Sequence, residues 1–327
     1  MRRREFIAGV VGMTAIASLT SPIGTRAQQA AKTRRVGFLA YVTDSGPVEV
    51  KQRLEELGYV EGKNLIFEFQ SAEGRAQRLP ELAAAMVNNN PDAIIAGFGT
   101  VTAQAVKAAT STIPIVFASV GDPIGTGIVR SLNRPGANVT GLHSQASEIV
   151  GKRLQILQEL APDMRALAVV MNPGPFTSVA LQDLQIVAQA RGVRIEACEG
   201  QTAEQLSVSV AAAVLAGASA LTILETPLLL GLRQGIVDIV AKHRLPAIYP
   251  NRDFVASGGL LSYGADRRQL YRRAAELVDK ILQGAKPADI PVEQPTKFEF
   301  VINLAAARAL GIQIPNTLLA TADQVIE

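Results

Sequence analysis

Cysteine is almost absent from this 327-residue chain. Cys198 is the only one, so no internal disulfide can form and stability must come from packed core. Tryptophan is missing altogether, aromatic residues make up 5% of the chain, and His143 and His243 are the only histidines. Neither histidine has a partner at metal-ligand spacing. H-E-x-x-H, C-x-x-C and G-x-S-x-G do not occur, so nothing specific points to a zinc hydrolase, a thiol redox enzyme or a serine hydrolase. Residues 136–141 carry the glycine spacing of a Walker loop, but Leu142 and His143 stand where Lys and Ser/Thr are needed. No G-x-G-x-x-G follows the first strand candidate, which argues against a dinucleotide site. No catalytic residue, metal or cofactor is expected. Cys198, in the strand-like stretch 193–198, reads as a small buried hydrophobe.

An excess of one charge sign is also lacking once the N-terminus is set aside. The chain has 32 basic and 29 acidic residues, of which four and one fall within residues 1–27, leaving 28 of each. A balanced remainder offers no electrostatic footprint for nucleic acid and little attraction to anionic membranes. The first 27 residues differ from the rest. Arg2, Arg3 and Arg4 precede an apolar run over 6–19, and Thr25-Arg26-Ala27 supplies a small-residue cleavage site. The run is shorter than the roughly 20 residues a membrane-spanning helix needs, so it is read as a signal peptide cleaved near Ala27. Arg3-Arg4-Glu5-Phe6-Ile7 matches the twin-arginine export pattern, although arginine clusters also occur in general secretory signals. No cysteine stands at the cleavage site to carry a lipid anchor, so the mature chain is expected free in a Gram-negative periplasm.

What the chain does have is repetition. After residue 33, short β-branched runs (36–40, 65–69, 93–96, 115–118) alternate with helical patterns, and the pattern restarts at 167–171. Strands that are apolar throughout, joined by helices, indicate parallel sheets covered on both faces. Length favours two domains of about 130–150 residues. The expected fold class is therefore α/β, with two doubly wound parallel-sheet lobes. Lobe 1 is assigned to residues 34–140 plus about 259–290, and lobe 2 to 141–258 plus about 291–327, with crossings at 138–141, near 258–259 and near 290–291.

In open parallel sheets, ligands bind beyond the carboxyl ends of the strands, where helix N-termini present unpaired N–H groups. Those ends supply the candidate site: Tyr41, Gly99, Thr100, Ser119, Asp122, Asn172, Glu225, Thr226 and Tyr249. Gly99-Thr100 suits a carboxylate or is a plain helix start. Asp122, followed by Pro123, serves as a helix cap or a solute contact. Glu225 ends an apolar strand, where it either takes a solute ammonium or pairs with Arg233 or Arg252. Tyr41 and Tyr249, one in each half, are read either as two rings facing across a cleft, with their hydroxyls as handles, or as local packing.

Several segments together resemble one family along nearly all of the mature length: 57–65 (LGYVEGKNL), 112–123 (TIPIVFASVGDP), 134–141 (RPGANVTG), 242–249 (KHRLPAIY), 261–264 (LSYG), 289–298 (DIPVEQPTKF) and 301–304 (VINL). This set is similar to ABC transporter substrate-binding proteins related to the tryptophan/tyrosine-binding lipoproteins of Gram-positive bacteria. The resemblance implies a type I periplasmic-binding-protein fold with three interlobe crossings. It also implies a small solute in the cleft, delivery to an ABC permease in the inner membrane, and a monomer. By matched position the cleft loops correspond to Gly99-Thr100, Ser119 to Asp122, Asn172, Glu225 and Tyr249. The rival readings are a solute-sensing protein for a membrane receptor and a secreted α/β enzyme using Asp122 and Glu225 as an acid–base pair.

Overall fold

The computed structural model describes residues 33–145 and 149–327. The export segment expected over 1–27 lies outside the described residues. Strands β1 (Arg34–Ala40), β2 (Leu65–Ser71), β3 (Ala93–Phe98), β4 (Ile115–Val120) and β5 (Val139–His143) form an all-parallel sheet in the order β2-β1-β3-β4-β5. Strands β6 (Ala166–Met171), β7 (Arg194–Glu199), β8 (Ala220–Ile223), β9 (Ala247–Tyr249), β10 (Leu261–Ala265), β11 (Phe298–Asn303) and β12 (Gln324–Ile326) form the second sheet. Its order is β12-β11-β10-β9-β8-β6-β7, parallel except where β10 meets β11.

The side chains account for these ladders. β3, β4 and β6 are buried at every position, as strands covered by helices on both faces must be. β7 ends its sheet with only Cys198 fully buried, and its outward charges discourage further pairing. Two doubly wound α/β lobes result, as the alternating pattern predicts.

The lobe boundaries differ from those expected. β5 carries the first sheet through His143, so position 140–141 falls inside a strand. Gly258 closes the short helix Arg252–Ala256 within the second lobe, and β10 then joins the second sheet. The chain re-enters the first lobe only at Asp266, where the helix Arg267–Leu282 packs on the helix Gly46–Glu56 and on β4. The segment 290–293 still belongs beside β5. Thr140 Oγ1 donates to Ile290 O at 2.8 Å, His143 N donates to Glu293 O at 2.8 Å, and Leu142 bridges Glu293. The third crossing therefore lies between Glu293 and β11. The chain leaves β5 and β10 directly from their ends and runs straight into β11, so strand pairing and not a long linker marks each crossing.

Cys198 is fully buried, and burial pushes its thiol up to about 11. A maleimide reagent is expected to leave the folded protein unlabelled at neutral pH and to label it rapidly in urea. Fast labelling without denaturant would contradict this packing.

Candidate functional site

The carboxyl ends of β1, β3 and β4 face those of β6 and β8 across a cavity of about 790 Å³ lined by both lobes. This falls within the roughly 300–1,000 Å³ typical of small-molecule sites. Seven of the expected residues meet there: Tyr41, Gly99, Thr100 and Ser119 from the first lobe, Asn172, Glu225 and Thr226 from the second.

On the first-lobe wall, Gly99 starts the helix Thr100–Ala109 at φ 101° with no side-chain cap, so the first amides of the helix lack intrahelical partners. A helix start of this kind favours an anion. Beside it, the buried Ser119 Oγ has no hydrogen-bond partner among the described residues. Tyr41 donates its hydroxyl to Gly74 O at 2.7 Å, so its ring faces the cavity but its hydroxyl is already committed.

On the opposite wall, Thr226 caps the helix Pro227–Gly231 by accepting from Leu229 N, and its hydroxyl donates to Asn172 Oδ1. The amide hydrogens of Asn172 stay uncommitted among the described residues, and its oxygen keeps one lone pair. Glu225 Oε1 accepts from Asn251 Nδ2 at 3.2 Å. Desolvation raises the Glu225 carboxyl above its ordinary value, opposed by the fields of Arg153 and Arg267. The expected pairings with Arg233 and Arg252 do not form. Arg233 Nη1 donates to Leu230 O, and Arg252 pairs with Glu299.

Two expected residues lie elsewhere. Tyr249 is 1% exposed and stacks on Phe254, with centroids 5.1 Å apart, inside the second-lobe core. As the last residue of a strand buried on both faces, its ring turns into a face and not toward the tip. Asp122 closes its own turn by accepting from Gly125 N at 2.8 Å, and its neighbours Gly121 and Gly125 line the cavity in its place. The acid–base pair of Asp122 with Glu225 is therefore not assembled. Phe98 and Gln104 also line the cavity and were not among the expected residues. Phe98 was findable, because it is the last residue of β3 and precedes Gly99. Gln104 was not, since it lies one turn into a helix.

The lobes touch around the cavity. A Cβ on Gly99 would lie 2.1 Å from Pro227 Cγ of the opposite lobe, and one on Gly231 would lie 3.1 Å from Val42. Nearby, Arg267 bridges both lobes. It pairs with Asp44, which follows β1, and with Asp253 at 3.0 Å, and its guanidinium lies 4.6 Å from the Phe98 ring centroid. Tyr271 donates its hydroxyl to Asp44 at 2.5 Å.

The family description "ABC transporter substrate binding protein" matches residues 44–326. The chain belongs to this family. A relative of this substrate-binding protein, the tyrosine-binding protein of Clostridioides difficile (strain R20291), is 29% identical over 318 residues, spanning 94% of this chain and 91% of its own. A conserved domain protein from Vibrio cholerae is 30% identical, with a TM-score of 0.82 over 90% of this chain and 100% of that one. An ABC domain in complex with L-Trp from Streptococcus pneumonia shares the fold, with a TM-score of 0.81, 24% identity, and 90% and 100% coverage.

Two substitutions probe how the lobes of this substrate-binding protein meet. Gly99→Ala adds a methyl group where Pro227 stands, at a φ that L-residues rarely adopt. X-ray scattering is expected to show a larger radius of gyration, and a tenfold shift toward an open form would weaken solute affinity by about tenfold. Arg267→Leu leaves Asp44 buried without its cation, at a cost of about 3–5 kcal/mol in urea unfolding. A loss below about 1 kcal/mol, the scale of an exposed pair, would mean that the pairing contributes little.

Proposed function

We propose that this substrate-binding protein is the periplasmic capture component of an ABC importer and that its solute is an amino acid or small aromatic compound. The observation that carries this reading is the opposition of unlike chemistry across one cavity. A carboxylate stands on the second lobe, facing an uncapped helix start and a partnerless hydroxyl on the first. A zwitterion fits that arrangement, with its ammonium at Glu225 and its carboxylate at Thr100 and Ser119. The rings of Tyr41 and Phe98 offer an apolar face for its side chain.

The tyrosine-binding relative and the tryptophan-bound neighbour support this choice of solute class. Export through the twin-arginine-like segment, action as a monomer and delivery to a membrane permease complete the proposal. Solute bound to one lobe recruits contacts from the other, and its greater affinity for the closed arrangement drives closure.

Calorimetry with L-tyrosine and L-tryptophan tests the assignment. Thr100→Ala and Glu225→Ala each remove a charge-assisted contact of about 1.5–3 kcal/mol, equivalent to roughly a tenfold to hundredfold loss of affinity. Unchanged affinity in both variants would remove the assignment. The pH dependence has a definite sign. Glu225 pairs with an ammonium only when ionised, and its midpoint is raised. Affinity is therefore expected to fall as acidity increases, beginning above the ordinary glutamate value of about 4.3. An affinity constant down to that value would separate Glu225 from the solute nitrogen.

A further inference from the structure

We propose that Arg153 is a positioning residue that keeps Glu225 ionised and aimed at the cavity, so that the site offers a full negative charge to a protonated nitrogen. The consequence for solute choice rests on the role given to Glu225 above; the link between Arg153 and Glu225 does not.

Arg153 lies on the second-lobe helix Val150–Leu160 and is 1% exposed. Arginine is rarely buried so completely unless paired, yet Arg153 forms no ion pair with any described residue. Its Nε donates to Tyr263 O at 2.7 Å, its Nη2 reaches Pro250 O at 3.5 Å, and its buried Nη1 has no partner among the described residues. These contacts fix the guanidinium without neutralising it.

The same contacts run toward Glu225. Pro250 precedes Asn251, whose Nδ2 donates to Glu225 Oε1 at 3.2 Å and whose Oδ1 accepts from Asp253 N at 3.1 Å. Gly264 packs against the same Pro250 carbonyl: a Cβ there would lie 1.8 Å from Pro250 O and 3.4 Å from Arg153 Nη2. Arg153 thus braces the turn that holds the carboxylate, and Gly264 leaves it no room to shift.

Charge accounting leads to the same pair. Arg267 also acts on Glu225, but its charge is already met by Asp44 and Asp253. Among the described residues the charge of Arg153 has no such partner, and Glu225 is the anion whose field acts on it. A buried charge without a counter-charge is strongly disfavoured, and each member of the pair is tolerable only because the other is present. The electrostatics agree in direction. Desolvation raises the Glu225 carboxyl, Arg153 and then Arg267 lower it, and Asp253 raises it. Conversely, burial lowers the Arg153 guanidinium and Glu225 raises it.

The test needs no solute. Carbon-13-labelled glutamate, assigned with Glu225→Gln, gives the Glu225 titration midpoint by NMR in the wild-type protein, in Arg153→Gln and in Arg153→Lys. The midpoint is expected to rise by about one pH unit or more in Arg153→Gln, a tenfold drop in the ionised-to-protonated ratio, and to return toward the wild-type value in Arg153→Lys. A midpoint that moves by less than about 0.3 unit in Arg153→Gln overturns the proposal, because a merely structural arginine would leave the titration in place. Should Arg153→Gln not fold, the double variant Arg153→Gln/Glu225→Gln decides. Recovery of folding supports a charge pair, and failure as complete as in the single variant overturns it. Failure of L-tyrosine or L-tryptophan to bind would leave this outcome standing, since the two measurements address different atoms.

Discussion

Arg267 brings a positive charge into a largely buried place between the lobes, and one aspartate from each lobe keeps it there. The residue opens the helix that covers the first sheet, and it follows β10 of the second sheet by a single residue. Asp44 and Asp253 therefore meet at one guanidinium although 209 residues separate them in sequence. Pairs of this kind add less to net stability than their Coulomb attraction implies, because desolvation opposes it. Their contribution is geometric: few relative placements of the two lobes satisfy both carboxylates and the Phe98 ring together.

The cavity inherits this constraint. Phe98 lies against Arg267 and also lines the cavity, so the interlobe ion pair and the apolar wall share a side chain. Glu225 feels Arg267 from one direction and Arg153 from another, and its neighbour Thr226 is occupied with helix capping and with Asn172. Most polar groups at the rim of the site thus already have structural employment. Among those that do not, the Ser119 hydroxyl and the first amides after Gly99 lie together on the first lobe. The cavity thus presents fixed dipoles on one wall and a fixed charge on the other, and under the proposed role this pre-organisation reduces the reorganisation that binding costs.

Much of this was legible in the residues. Short apolar runs such as 93–96 and 167–171, alternating with helical patterns, read as buried parallel strands, and the general rule for open sheets then located the cavity. Seven of nine expected residues line it. The misplacements share a cause. Tyr249 and Asp122 stand at the right position along the chain, but which way a side chain turns at a strand end depends on packing that sequence order does not encode. Arg153 was invisible for a related reason. Within the stretch VGKRLQILQEL it reads as a solvated helix residue, and only the tertiary fold closes the backbone of residues 250 and 263 around it. The crossings escaped because strand pairing and not a long linker marks them.

The interleaved path has a consequence for how the molecule is made. The first sheet is complete by His143, but the helix that covers one of its faces comes from residues 267–282, after almost the whole second lobe has been synthesised. The second sheet in turn waits for β11 and β12 at the end of the chain. During translation the face of the first sheet that the helix Arg267–Leu282 covers stays incompletely buried until that helix has emerged. A chain halted before residue 267 would leave part of one apolar face of that sheet exposed, and exposed apolar surface favours aggregation.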